Sequence, residues 1–132
     1  MDFVNFEIAK KLKEKGFREE CFARYYCSDK AYFERNSYNP DTESNFYCYN
    51  NDEDLGRFYI DAPTISQVLK WLRNEKSIYC LPFFEQGVDM WFYVISKPAC
   101  GCEFPEFMSK SVYDTYEQAA LAGIEYVLDN LI

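Results

Sequence analysis

Apolar positions in residues 62–76 follow a helical repeat with recognisable ends. Ile65, Val68, Leu69 and Leu72 recur at i, i+3, i+4 and i+7, so one side of a helix there is predicted to be buried. Thr64 and Gln67 stand at the spacing of a capping box, in which each side chain satisfies a backbone N–H that the first turn leaves open. The C-terminal stretch repeats this arrangement, with Asp114 and Glu117 at box spacing ahead of Ala120, Ile124, Val127, Leu128 and Leu131. A shorter helix is predicted from about residue 5 to 15, with Asn5 as N-cap, Ile8, Ala9 and Leu12 inward and Gly16 as the stop.

Between these segments the period changes to two. Residues 21–26 and 31–35 are short aromatic strands joined through Ser28-Asp29-Lys30, and residues 57–61 form a further strand. Residues 37–56, rich in Asn, Asp, Ser and Tyr, are predicted as a long loop with a short strand near 46–49. Runs 78–84 and 88–96 flank the hairpin signature Glu85-Gln86-Gly87, and Pro82, having no N–H, sends the first run to a sheet edge or a bulge. Alternation in the second run puts Val88, Met90, Phe92 and Val94 on a face read as core, and Asp89, Trp91, Tyr93 and Ile95 on an amphipathic one. Residues 97–111 contain Pro98, Gly101 and Pro105 and are read as an irregular connection. The predicted fold is α+β: an antiparallel sheet of about five strands with three helices, mostly packed on one face, in the order α-β-β-(β)-β-α-β-β-α. It is expected to form a single domain over residues 1–132.

Composition supports a self-standing core, since 132 residues with 48% hydrophobic and 20% aromatic content are far from a disordered chain. The 14 basic and 22 acidic residues leave a formal charge of −8, which repels phosphate backbones and anionic lipid. Neither a nucleic acid nor a membrane is an expected partner. Lys10, Lys11, Lys13, Lys15 and Arg18 are interleaved with Glu7, Glu14, Glu19 and Glu20, the pattern of a mixed, solvated helix surface. The N-terminal residues lack the basic start and apolar run of a signal peptide, so a cytoplasmic location is expected. In that compartment the six cysteines, at 21, 27, 48, 80, 100 and 102, are expected to stay reduced.

No catalytic motif emerges. Histidine is absent, which removes the commonest general base and triads that depend on it. Cys100-Gly101-Cys102 is the close cysteine pair, yet its spacing is not that of a zinc knuckle, and buried or incidental thiols are the favoured reading. Asn50, Asp52, Asp54 and Asp61 approach the oxygen spacing of a calcium loop, but Leu55 stands where the turn needs glycine. A solvated acidic loop is favoured there, and no cofactor or metal is expected. Tyr25, Tyr26, Tyr32, Phe33, Tyr38, Phe46, Tyr47 and Tyr49 crowd the first half. Most are predicted to pack across strands, with Tyr32, Tyr38, Tyr47 and Tyr49 as the candidate interaction surface.

The segment Ala62-Pro63-Thr64-Ile65-Ser66-Gln67-Val68-Leu69-Lys70-Trp71-Leu72-Arg73 resembles small proteins of gut Bacteroides-type bacteria and their prophages or mobile elements. So does the opening Phe3-Val4-Asn5-Phe6-Glu7-Ile8-Ala9-Lys10-Lys11-Leu12-Lys13-Glu14-Lys15-Gly16-Phe17, and so do Tyr116-Glu117-Gln118-Ala119-Ala120 and Gly123-Ile124-Glu125-Tyr126-Val127-Leu128 near the end. The likeness leaves out the aromatic middle, from about 27 to 57, and residues 100–109. That group brings no assigned activity or catalytic residues, and the resemblance implies a bacterial or phage cytosolic protein. The expected function is that of a non-enzymatic accessory protein making contacts with another protein. The alternative is a small-ligand or metal-binding module, or a minor enzyme, using the acidic loop 50–61 or the Cys100/Cys102 pair.

Overall fold

In the computed structural model, residues 2–28, 32–35, 47–97 and 107–132 are described; they form three α-helices and two three-stranded antiparallel sheets. The chain falls into two compact units, Phe3–Thr64 and Ile65–Ile132, the second also taking in Asp2.

The first unit opens with α1 (Phe6–Glu14), whose start and end are as predicted. Asn5 Oδ1 accepts from the Ile8 N–H at 2.9 Å, and Gly16, at φ 92°, turns the chain out of the helix as a side-chain-free residue does most readily. Ile8, Ala9 and Leu12 are buried as expected. The sheet has the order β2-β1-β3, from β1 (Ala23–Tyr26), β2 (Tyr32–Arg35) and β3 (Tyr59–Ala62). Register pairs Arg24 with Glu34 and with Asp61, and Tyr26 with Tyr32 and with Tyr59. Side chains alternate across a strand, so these six share one face while Ala23, Tyr25, Phe33, Ile60 and Ala62 share the other. The second face carries the helix contacts: Tyr25 meets the Phe6 ring at 5.6 Å and its hydroxyl donates to the Val4 carbonyl at 2.7 Å. The first face carries the tyrosines.

Of the predicted short strand near 46–49, the described residues 47–49 show one bridge, Tyr47 with Cys21, followed by 3-10 turns at Tyr49–Asn51 and Leu55–Arg57; residue 46 lies outside the described residues. Residues 29–31, which hold most of the expected β1–β2 connection, lie outside the described residues.

The second unit contains α2 (Ile65–Lys76), β4 (Tyr79–Glu85), β5 (Met90–Ser96), β6 (Phe107–Met108) and α3 (Tyr116–Asn130). The expected apolar side of α2, Ile65, Val68, Leu69 and Leu72, is buried. Sheet order β4-β5-β6 leaves Pro82 on an edge strand among the described residues, as its missing N–H requires. Its partner Tyr93 turns its backbone the other way, exchanging hydrogen bonds with Ser109 at 2.9 and 3.1 Å.

Three further expectations change. The strands form two sheets among the described residues, where one sheet of about five was expected. The start of α3 lies one residue later than Asp114: Thr115 is the N-cap, its Oγ1 accepting from the Gln118 N–H at 3.1 Å, and Gln118 Oε1 accepts from the Asp114 N–H. The side of β5 that meets α3 is not the one expected. Gly123 of α3 lies against Cys80 and Tyr93, so the helix covers the Tyr93–Ile95 side, while on the side read as core Val94 is buried, Met90 and Phe92 are half-buried and Val88 is exposed in the turn. Alternation shows which residues share a face, but the choice of buried face depends on where the helix lands. No described helix is long and apolar enough to cross a membrane.

Candidate functional site

The outward face of β1-β2-β3 is organised around Arg24. Both its Nε and Nη2 bind Glu34 Oε2, at 3.1 and 3.0 Å, across the β1–β2 pair. Its guanidinium lies 4.1 Å from the centre of the Tyr59 ring and 5.1 Å from that of Tyr49, and Nη1 donates to the Tyr49 hydroxyl. The cation is thus flanked by two π faces, each of which attracts it. Burial pulls the guanidinium's pKa down, and the bonds to Glu34 and Tyr49 more than reverse this, leaving it above its ordinary value. Its charge is fixed.

Alternation alone would send Asp61 outward beside Arg24, yet it is fully buried. The 3-10 turn Tyr49–Asn51 covers it. Asp61 Oδ1 accepts from the Tyr49 N–H at 3.1 Å and Oδ2 from the Asn50 N–H at 2.9 Å, while Asn50 Oδ1 accepts from the Asp61 N–H at 3.3 Å. Asn50 Nδ2 also donates to the Phe17 carbonyl at 3.1 Å. This reciprocal pair anchors the turn and sets the Tyr49 ring beneath Arg24. Burial pushes the Asp61 carboxyl above its ordinary range, the two backbone bonds opposing it. Gly56 completes the anchor, because a Cβ there would lie 2.8 Å from the Tyr49 carbonyl oxygen.

Of the residues proposed from sequence, Tyr47 and Tyr49 are brought together, their ring centroids 4.3 Å apart. Tyr49 continues to Tyr59 at 5.1 Å, and Tyr59 to Tyr26 at 5.6 Å. Tyr32, on the same face, pairs across the strands with Tyr26. Exposure is 58% for Tyr32, 38% for Tyr47 and 37% for Tyr26, but 8% for Tyr49, so Tyr49 is the floor of the face and not a free ring. Tyr38 lies outside the described residues, as do Cys100 and Cys102. Arg24 and Tyr59 were not singled out from sequence; once β1 and β3 are paired, the alternation of Arg24-Tyr25-Tyr26 and Tyr59-Ile60-Asp61 gathers them.

The acidic loop divides its oxygens among separate tasks. Asp61 points inward to the turn, whereas Asp52 Oδ1 accepts from the Asp54 and Leu55 N–H groups at 2.9 and 2.8 Å, and its Oδ2 accepts from the Tyr47 hydroxyl at 2.7 Å. That hydroxyl bond, with burial and the charge of Asp52 adding to it, pushes the Tyr47 phenol up to about 12 and holds Asp52 below the usual carboxylate range. Among the described residues no group of three or more His, Cys, Asp or Glu is placed to hold a metal ion.

Two N-terminal cations serve the backbone. Lys13 Nζ donates to the Gly56 carbonyl at 2.7 Å, and Arg18 Nη1 donates to the carbonyls of Lys13 and Phe17 at 2.9 and 2.8 Å. With Lys10, Glu14 and Ile60 they line an open cleft of about 440 Å³.

Comparison with protein-family models, with curated proteins and with solved structures finds no match. The chemistry of the face itself carries the functional reading.

Proposed function

We propose that this chain is a non-enzymatic accessory protein that binds another protein through the tyrosine face of its first sheet, in a bacterial or phage cytosol. The carrying observation is that Tyr26, Tyr32 and Tyr47 stand exposed around an Arg24 already held by Glu34, Tyr49 and Tyr59. Tyrosine brings contact area, a hydroxyl and few rotatable bonds, which is why it concentrates at protein interfaces. The absence of histidine and the employment of Asp52 and Asp61 in local hydrogen bonds favour binding over chemistry at this face. The resemblance to proteins of gut bacteria and their mobile elements supports the setting.

Affinity capture from bacterial lysate after cross-linking tests the reading. Wild type is expected to recover a discrete partner, and the double variant Tyr26→Ala/Tyr32→Ala to lose it while its circular dichroism shows the fold retained. Equal recovery by the two proteins, or turnover of a metabolite with no partner recovered, overturns it.

A further inference from the structure

The second sheet has a side that α3 leaves open. Alternation sets Cys80, Pro82 and Tyr93 toward α3, and Tyr79, Leu81, Phe83 and Glu85 of β4 toward the other side, beside Phe92 and Met108. Val94 and Ser96 on that side are buried, but Tyr79 keeps 37% exposure, Leu81 39%, Phe83 46% and Met108 52%, and the Phe83 and Phe92 rings stack at 5.8 Å. Four side chains of about 200 Å² each, open to this extent, leave roughly 350 Å² of largely apolar surface, a size at which exposed patches are often functional. Between Tyr79 and Glu85 no strand residue of this side carries a charge. Neither the Tyr79 hydroxyl nor the Glu85 carboxylate has a hydrogen-bond partner among the described residues.

We propose that this side is where two copies of the chain meet, sheet against sheet, about a two-fold axis running across the strands. Such an axis reverses strand direction, so it sets Tyr79 of each copy over Glu85 of the other, and Leu81 over Phe83. A donor at one end of β4 and an acceptor at the other make the surface complementary to itself, as an isologous contact requires. Facing sheets pack about 10 Å apart, a gap that a tyrosine and a glutamate side chain span together. The other route between copies, β4 joined to β4 edge to edge, is opposed by Pro82, whose backbone faces the open edge without an N–H to give. With Met90, Phe92 and the rim included, a pair buries on the order of 1,000 Å², the lower end for a specific interface, so the dimer is weak and reversible. The contact does not rest on the reading of the tyrosine face, which belongs to the first sheet.

Sedimentation velocity of the full chain from about 1 to 200 µM tests this. A monomer–dimer equilibrium with a micromolar Kd is expected, and added salt is expected to tighten it by screening the −8 charge of each copy. Phe83→Glu, at an exposed position, is expected to weaken the dimer at least tenfold while circular dichroism shows the fold retained. Tyr79→Phe and Glu85→Gln are each expected to weaken it at least threefold, and the double variant no more than either alone, because the two side chains serve one bond. A chain that stays monomeric throughout that range, a dimer indifferent to Phe83→Glu, or additive losses from the Tyr79 and Glu85 variants overturns the proposal. At the trace concentrations of lysate capture such a dimer dissociates, so failure of this contact leaves the reading of the tyrosine face standing.

Discussion

Arg24 lies with its guanidinium 4.1 Å from the centre of the Tyr59 ring, on the neighbouring strand, while Glu34 holds its nitrogens from the strand on the other side. One side chain therefore ties all three strands together on the tyrosine face. The ion pair is exposed and contributes about 0.2–1 kcal/mol, whereas the ring contacts and the buried stem of Arg24 add packing that the carboxylate does not supply. In denaturant unfolding, Glu34→Gln is expected to cost less than about 1 kcal/mol. Arg24→Ala is expected to cost roughly 1–2 kcal/mol. Equal losses would mean that the rings add nothing.

The helices were legible in the chain because each needs only local signals: Asn5 and Gly16 bound α1, and the Ile65 to Leu72 repeat marks the buried side of α2. The tyrosine face was half legible. Residue type pointed to Tyr47 and Tyr49, but Arg24 and Tyr59 become members only through strand register, a long-range property. Asp61 departs from its reading for the same reason: the residue pattern favours a solvated acidic loop, whereas pairing of β3 with β1 places Asp61 fully buried beneath the Tyr49 turn. The side of β5 that meets α3 was not legible because Gly123, the residue that admits Cys80 and Tyr93 against α3, has no side chain to signal the contact.

Asp61 gives stability a pH dependence of known sign. Burial raises its carboxyl above the ordinary 3.8, so between that value and the higher folded one the native chain binds more protons than the unfolded chain. Its contribution is therefore largest below that window and falls as pH rises through it. Unfolding midpoints of wild type and Asp61→Asn, measured across acidic pH, should show wild type losing ground to the variant as pH increases. A flat or opposite difference contradicts the buried, backbone-bound carboxyl. Asp61→Ala leaves the Tyr49 and Asn50 N–H groups without this acceptor and is expected to cost about 1–3 kcal/mol.

Tyr47 should be recognisable as a tyrosine reluctant to ionise. Its phenol, bonded to Asp52, is pushed from 10.0 up to about 12, so the folded chain keeps this proton while an unfolded chain loses it, and stability declines between those values. The tyrosinate absorbance of wild type minus that of Tyr47→Phe is expected to rise near pH 12, and to move down toward 10 in Asp52→Asn. Ionisation of Tyr47 near 10 in wild type would show that the bond is not kept.

Gly123 and Cys80 test the packing of the second sheet. A Cβ at 123 would lie 2.5 Å from Cys80 Sγ and 3.1 Å from the Tyr93 ring, while burial drives the Cys80 thiol up to about 12. Alanine favours the helix by about 1 kcal/mol over glycine, so a destabilised Gly123→Ala, by roughly 1–3 kcal/mol, reports overpacking. Adding Cys80→Ala removes the nearest clash, and the two changes together are expected to be less damaging than their sum. In the native protein, Cys80 should also resist thiol reagents until the chain unfolds, which mass mapping of the labelled cysteines reads directly.

The tyrosine face as the contact surface is most directly tested by site-specific photo-cross-linking. A benzophenone side chain is placed at position 32 on that face, or at the exposed position 110 of the second unit for comparison, and each protein is irradiated in bacterial lysate. Position 32 is expected to yield a discrete covalent adduct that Tyr26→Ala and Tyr47→Ala both diminish, with no such adduct from position 110. Adducts of equal yield from the two positions, or none from position 32, would contradict the account.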